Sequence, residues 1–144
     1  MKILKKLILV ALVLAWPVHG ALADAPNDLL VIANKSVAAE ATDASEMRAV
    51  FLKNKTALGG DTVFPLNAKG DSDLRAAFRK RVLKMTDEKE RGFWDDEKVR
   101  KGTEPPAEVP VTLKAVFSKA GAVSYVFRKD YKEGTVKILA AFPE

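Results

Sequence analysis

Cysteine is absent from the 144 residues, and histidine occurs once, at His19. The missing thiols exclude disulfides, thiolate nucleophiles, zinc–thiolate sites, iron–sulfur clusters and any Cys-anchored lipid, so the chain is not a lipoprotein. Aromatic residues are scarce at 8%, yet apolar residues reach 48% beside 30% charged, a composition that describes one globular domain built around a core.

Long apolar runs are also lacking. Lys2, Lys5 and Lys6 precede an apolar stretch of ten residues, Leu7 to Trp16, followed by Pro17, Gly20 and Ala21-Leu22-Ala23. That stretch is too short to cross about 30 Å of hydrocarbon as a helix, and a small-x-small site follows it at once. This is the pattern of a secretory signal peptide, with cleavage expected after Ala23 and Ala25 the alternative. The expected product is periplasmic or secreted, without a transmembrane anchor.

Removing residues 1–23 would take away three lysines and the histidine and leave 21 basic against 19 acidic side chains, net +2 rather than +5. A nearly neutral chain offers no broad electrostatic footprint for phosphates, so nucleic acid is not an expected partner. Without imidazole or thiol, Ser-His-Asp and Cys-His nucleophiles and His-ligated metals are excluded, and neither a catalytic residue, a metal nor a cofactor is expected.

Leu29 to Asn34 is a short apolar run suited to a strand buried on both faces. Asp43 and Glu46 form a helix-capping pair ahead of Met47, Val50 and Phe51, whose spacing makes one apolar stripe over about three turns. Gly59-Gly60-Asp61 signals a turn, after which Thr62 to Leu66 reads as a second strand. Asn67 to Asp71 is a polar loop, and Ser72 or Asp71 can cap a helix carrying Leu74, Ala77, Phe78 and Val82.

Thr86 opens another short helix toward Phe93-Trp94, with Asp87 and Glu88 where the helix dipole favours acids. Gly102 to Pro110 is an extended connector. Pro110 then stands at the first position of a helix with Leu113, Val116, Phe117 and Ala120 on one face, stopped by Gly121. Ala122 to Phe127 and Thr135 to Ala140 read as strands joined around Asp130 and Gly134. Alternating strands and helices predict an α/β fold with a small mixed sheet flanked by helices.

Several segments carry a family resemblance in a fixed order. Val31-Ile32-Ala33-Asn34-Lys35-Ser36 looks like a "vvvNps" strand, and Ala49 to Lys55 is similar to an "IFlGk" helix end whose glycine falls on Lys53 or Asn54. Val63-Phe64-Pro65-Leu66-Asn67 stands where "i.pvn" is common, and Leu74 to Phe78 is similar to "R..F". Phe93-Trp94 with Gly102 and Pro105-Pro106 is similar to "yW....f.G....P", and Ala120 to Val126 to "pGaIGYv", with Ser124 replacing a glycine. Together they resemble the second lobe of the phosphate ABC transporter substrate-binding proteins, and more closely short exported members that keep only that lobe. The resemblance implies a single lobe of a periplasmic binding protein-like fold over residues 24–144.

In that family a loop reading "R.DGSGT" helps to hold phosphate. Counted back from Phe78, Ser72 matches its serine, while Ala68, Gly70, Asp73 and Leu74 stand where arginine, aspartate, the second glycine and threonine would be. The candidate anion-binding residues are therefore Lys69, Gly70, Asp71, Ser72 and Arg75. Free N–H groups at a helix start and the Ser72 hydroxyl suit an anion, whereas Asp71 and Asp73 oppose one unless Lys69 or Arg75 neutralises them. Ser72 reads either as a plain N-cap or as a ligand residue.

Other clusters read as structural. Phe93 and Trp94 belong to a core, Arg79-Lys80-Arg81 to a largely solvated face, and Asp95-Asp96-Glu97 cannot all face one cation from a helix. The function expected is that of an exported, non-enzymatic solute-binding-like module, touching phosphate or another small oxyanion weakly in connection with ABC-type transport. The alternative is a protein–protein interaction module that has lost ligand binding and docks on a membrane transporter or sensor.

Overall fold

Residues 24–144 are described by the computed structural model; the signal-peptide reading falls on residues 1–23, outside them. The sheet is organised by β1 (Leu29–Ala33), in which every residue is buried. It pairs antiparallel on one side with β7 (Ala122–Phe127) and on the other with β8 (Lys137–Phe142), with a bulge between Val31 and Ile32 on the β8 side. A two-residue edge strand, β4 (Phe64–Pro65), runs parallel to β7 and completes a mixed sheet of order β4-β7-β1-β8.

The alternation of side chains along β1 divides the core in two. Leu29, Val31 and Ala33 face Met47, Val50, Phe51, Phe78 and Tyr125, while Leu30 and Ile32 face Val116, Val126 and Val136. Helices therefore cover both faces, which is why β1 has no polar position. Fully burying one such aliphatic side chain contributes about 1.5–3 kcal/mol.

Helix α1 (Ala44–Phe51) begins at Asp43, whose carboxylate accepts the Glu46 N–H at 2.8 Å, and buries Met47, Val50 and Phe51 as the spacing predicts. Its end is unusual. The chain leaves the helix through Lys53 at φ +59°, a left-handed position that a side chain adopts at a cost and that glycine takes freely. Lys53, one of the two positions that the "IFlGk" resemblance offers for glycine, holds this left-handed conformation.

Gly59 and Gly60, at φ +57° and +88°, close a hairpin between β2 (Ala57–Leu58) and β3 (Asp61–Thr62). The single strand expected over Thr62 to Leu66 is thus split between two sheets. The polar loop expected from Asn67 is also partly strand, because β5 (Asn67–Ala68) pairs in parallel with β6 (Glu108–Val109), taken from the Pro-rich connector.

Helix α2 (Asp73–Phe78) passes into a π-helical turn, Arg79–Leu83, and α3 (Asp87–Lys101) is longer than the short helix expected, ending at Gly102 in the left-handed region. Helix α4 (Thr112–Ser118) starts after Val111, so Pro110 lies ahead of the helix and not at its first position. Thr112, buried, donates to the Tyr125 carbonyl at 2.6 Å. That bond sets the rotation of α4 so that Thr112 and Val116 point inward one turn apart and Phe117 points out, 61% exposed, contrary to the stripe expected.

Candidate functional site

The segment Asn67 to Ser72 is tied to the core from beneath. Tyr125 is fully buried, its ring stacked on Phe78 at 3.9 Å between centroids. Its hydroxyl accepts the Ala68 N–H at 3.0 Å and donates to Asn67 Oδ1 at 3.1 Å. Burial pushes the phenol up to about 12, against the opposing pull of the nearby Arg75 guanidinium. The Ser124 hydroxyl donates to the Leu66 carbonyl at 2.6 Å and ties β7 to the chain leaving β4.

Ser72 is the N-cap of α2: its Oγ accepts the Arg75 N–H at 3.1 Å and lies 2.7 Å from the Lys69 carbonyl, to which it donates. Both functions of the hydroxyl are used inside the loop. The Gly70 N–H donates to the Glu108 carboxylate, which reaches across from β6. An internal carboxylate therefore holds the backbone donor that an incoming anion would need.

Arg75 is buried and is bound on two sides, donating to the Ala68 carbonyl at 3.1 Å and forming an ion pair with Glu90 of α3. Arg79 approaches the same Glu90 at 3.6 Å, meets Asp87 at 3.3 Å and donates to the Gly70 carbonyl at 2.8 Å. Arg79 and Arg81 are consequently the best-covered members of a cluster expected to be largely solvated: their side chains are 11% and 14% exposed. Only Lys80 stands in solvent.

The five sequence candidates do not converge. Gly70, Asp71 and Arg75 line one cleft of about 460 Å3, whereas Lys69 and Ser72 line another of about 360 Å3. In the first, Asp71, Asp87, Glu90, Asp95 and Glu108 outnumber Arg75, Arg79 and Arg91, so it is net negative by two. Its back wall is Trp94, buried as expected, with Pro105 and Pro106. The second cleft places Lys69 with Lys132, Asp130 and Thr112 beside the apolar Leu113 and Val126. A phosphate clamp needs donors aimed at one point, and here they are divided by the loop itself.

Glu90 and Glu108 are the residues that sequence reasoning missed. Glu90 falls at a buried position of a helix otherwise rich in charge, and only its spacing from the Arg75 and Arg79 pair in space, not in sequence, reveals the role. Among the described residues no group of acidic or histidine side chains is placed to hold a metal ion, and no helix is long and apolar enough to cross a membrane.

No protein-family model matches the chain, and no curated protein matches it in sequence. Among solved structures it is similar to an ABC-type phosphate transport receptor from Vibrio cholerae, with a TM-score of 0.58 and 14% identity, over 77% of this chain and 44% of that one. The chain thus spans less than half of that receptor. The likeness establishes the fold: one lobe of a periplasmic binding protein-like architecture, α/β with a mixed sheet between helices.

Proposed function

We propose that the protein is an exported, non-enzymatic relative of solute-binding proteins that works by docking on another protein of the cell envelope, such as a transporter or sensor, its anion loop having been closed from within. The observation that carries this reading is the occupation of the loop's donors: Gly70 by Glu108, Arg75 by Glu90, and the Ser72 hydroxyl by the loop backbone. A two-lobe binder gains affinity by enclosing its ligand between closing domains, and the described residues form one lobe. An open lobe in which the Gly70 N–H, the Ser72 hydroxyl and both terminal nitrogens of Arg75 are already engaged would hold phosphate poorly.

A second reading, weak oxyanion binding, is favoured by one feature: Lys69 lines its cleft with Lys132 and Ser72 and makes no ion pair among the described residues. Calorimetry on protein taken from the periplasmic fraction, with a mass beginning at Asp24, separates the two. The expected result is no saturable heat with phosphate or sulfate. Saturable heat that Ser72→Ala or Lys69→Ala abolishes would overturn the docking reading in favour of the second.

A further inference from the structure

A third concavity, of about 370 Å3, lies between the end of α1 and the β4 edge of the sheet and shares Pro106 with the first cleft. Its floor is apolar: Val50, Val63, Phe64, Pro65 and Leu66. Phe64 is left 46% exposed there. Its rim holds Lys53, Lys55 and Lys119, and no carboxylate lines it. The Lys119 ammonium stands 4.9 Å over the Phe64 ring, and Lys53 and Lys119 have no ion-pair partner among the described residues. Lys55 alone is neutralised, by Glu46 at 2.6 Å, a contact that lowers the Glu46 pKa.

Lys53 bears on this directly. It holds a left-handed conformation, φ +59°, in which glycine would be easier, so this position keeps a charged side chain at a conformational cost.

We infer that this groove is the docking site for an acidic protein segment carrying an apolar anchor, the anchor seated on Phe64 and Leu66 and its flanking carboxylates facing Lys53 and Lys119. The inference rests on the docking reading above and names the chemistry of the partner. Charge complementarity fixes the sign of the occupant, since two unpaired cations, Lys53 and Lys119, beside a neutralised Lys55 repel a basic segment and attract an acidic one. Concavity fixes its form: a recessed apolar floor accepts a side chain, whereas a membrane surface is met by protruding residues. Strand addition is not the mode, because β4 is two residues long and Pro65 has no N–H to offer.

The test uses a fluorescein-labelled peptide, Asp-Glu-Leu-Phe-Glu-Asp, followed by fluorescence anisotropy at low and high salt. Binding should be saturable and weaken with salt. It should vanish with the amide analogue Asn-Gln-Leu-Phe-Gln-Asn and with Asp-Glu-Ala-Ala-Glu-Asp. The double variant Lys53→Glu/Lys119→Glu, its melting temperature checked against the parent, should lose about tenfold in affinity. Glu46→Gln, which releases Lys55, should gain about twofold by the same electrostatic reasoning.

Equal affinity of the double variant and the parent, or no binding of the acidic peptide, would overturn the inference. So would lysine-dependent binding to vesicles of phosphatidylglycerol and phosphatidylcholine without peptide binding, which would make the groove a membrane contact. Failure here is distinct from failure of the docking reading. That reading falls on phosphate calorimetry, and it survives if a partner is still captured by the double variant.

Discussion

The loop cleft and the lysine groove use charge in opposite ways. Around the loop, Arg75, Arg79 and Glu90 are largely buried and paired with one another, with Arg75 Nε, Arg79 Nε and Glu90 Oε2 left without a hydrogen bond, and the exposed Glu108 bonds to the Gly70 N–H. At the groove, Lys53 and Lys119 face apolar surface and solvent with no internal counterion among the described residues. Charge turned inward holds a lobe together, and charge turned outward is free to select a partner. The loop cleft is therefore the region held by internal pairs, and the β4 edge of the sheet is the region with unpaired charge.

That contrast is broken first by Glu90→Ala. It leaves Arg75 buried without a carboxylate and Arg79 with the half-exposed Asp87 alone, and unfolding in urea should show a loss of about 3–5 kcal/mol, the scale for stripping one partner from a buried ion pair. An effect below about 1 kcal/mol, the range of exposed pairs, would mean that the cluster is as solvated as the groove.

Alkaline pH probes the same region through Tyr125. Its folded-state pKa is raised from 10.0 to about 12, so its contribution is present below pH 10 and is lost as pH rises toward 12. Denaturant titrations across that window should lose on the order of 3 kcal/mol, consistent with a shift of this size. Tyr125→Phe should remove the extra alkaline loss while lowering neutral-pH stability by about 1–3 kcal/mol, because the Ala68 N–H is left unsatisfied.

The smallest effect belongs to the groove and has the opposite sign. Lys53→Gly relieves a left-handed side chain and should raise stability by up to about 1 kcal/mol, read as an upward shift in melting temperature. The same change should weaken the acidic peptide. A gain in stability with unchanged peptide affinity would assign Lys53 no part in docking.

Much of the fold was legible because it rests on local chemistry. The all-apolar Leu29 to Ala33, the Asp43 cap with Met47, Val50 and Phe51, and the Ser72 cap are each set by residues within a few positions of one another. What escaped depends on distant partners. The extension of α3 to Lys101 could not be read from apolar spacing, because the helix buries Glu90 and Glu97 on the same side as Trp94, with Glu97 paired to Arg100 and Lys101. The outward turn of Phe117 goes with one hydrogen bond from Thr112 of α4 to the Tyr125 carbonyl of β7, thirteen residues away.

The candidate site was legible in composition and not in geometry. The Ser72 cap and the conflict between Asp71 and an anion are sequence-level facts. The separation of Lys69 from Gly70 and Arg75 into different clefts is a property of the path that the loop takes after β5. Glu108 enters from another strand altogether, and nothing in the spacing of 38 residues between it and Gly70 announces the contact.

The phenol of Tyr125 has one more consequence. By grasping Asn67 and Ala68 from below while lying flat on Phe78, it denies this stretch of backbone the swing that a closing jaw requires. Whatever meets the lobe encounters a shape already set, with little ordering left to be done on its side of the contact. Association should then run at the pace of diffusive encounter rather than of rearrangement.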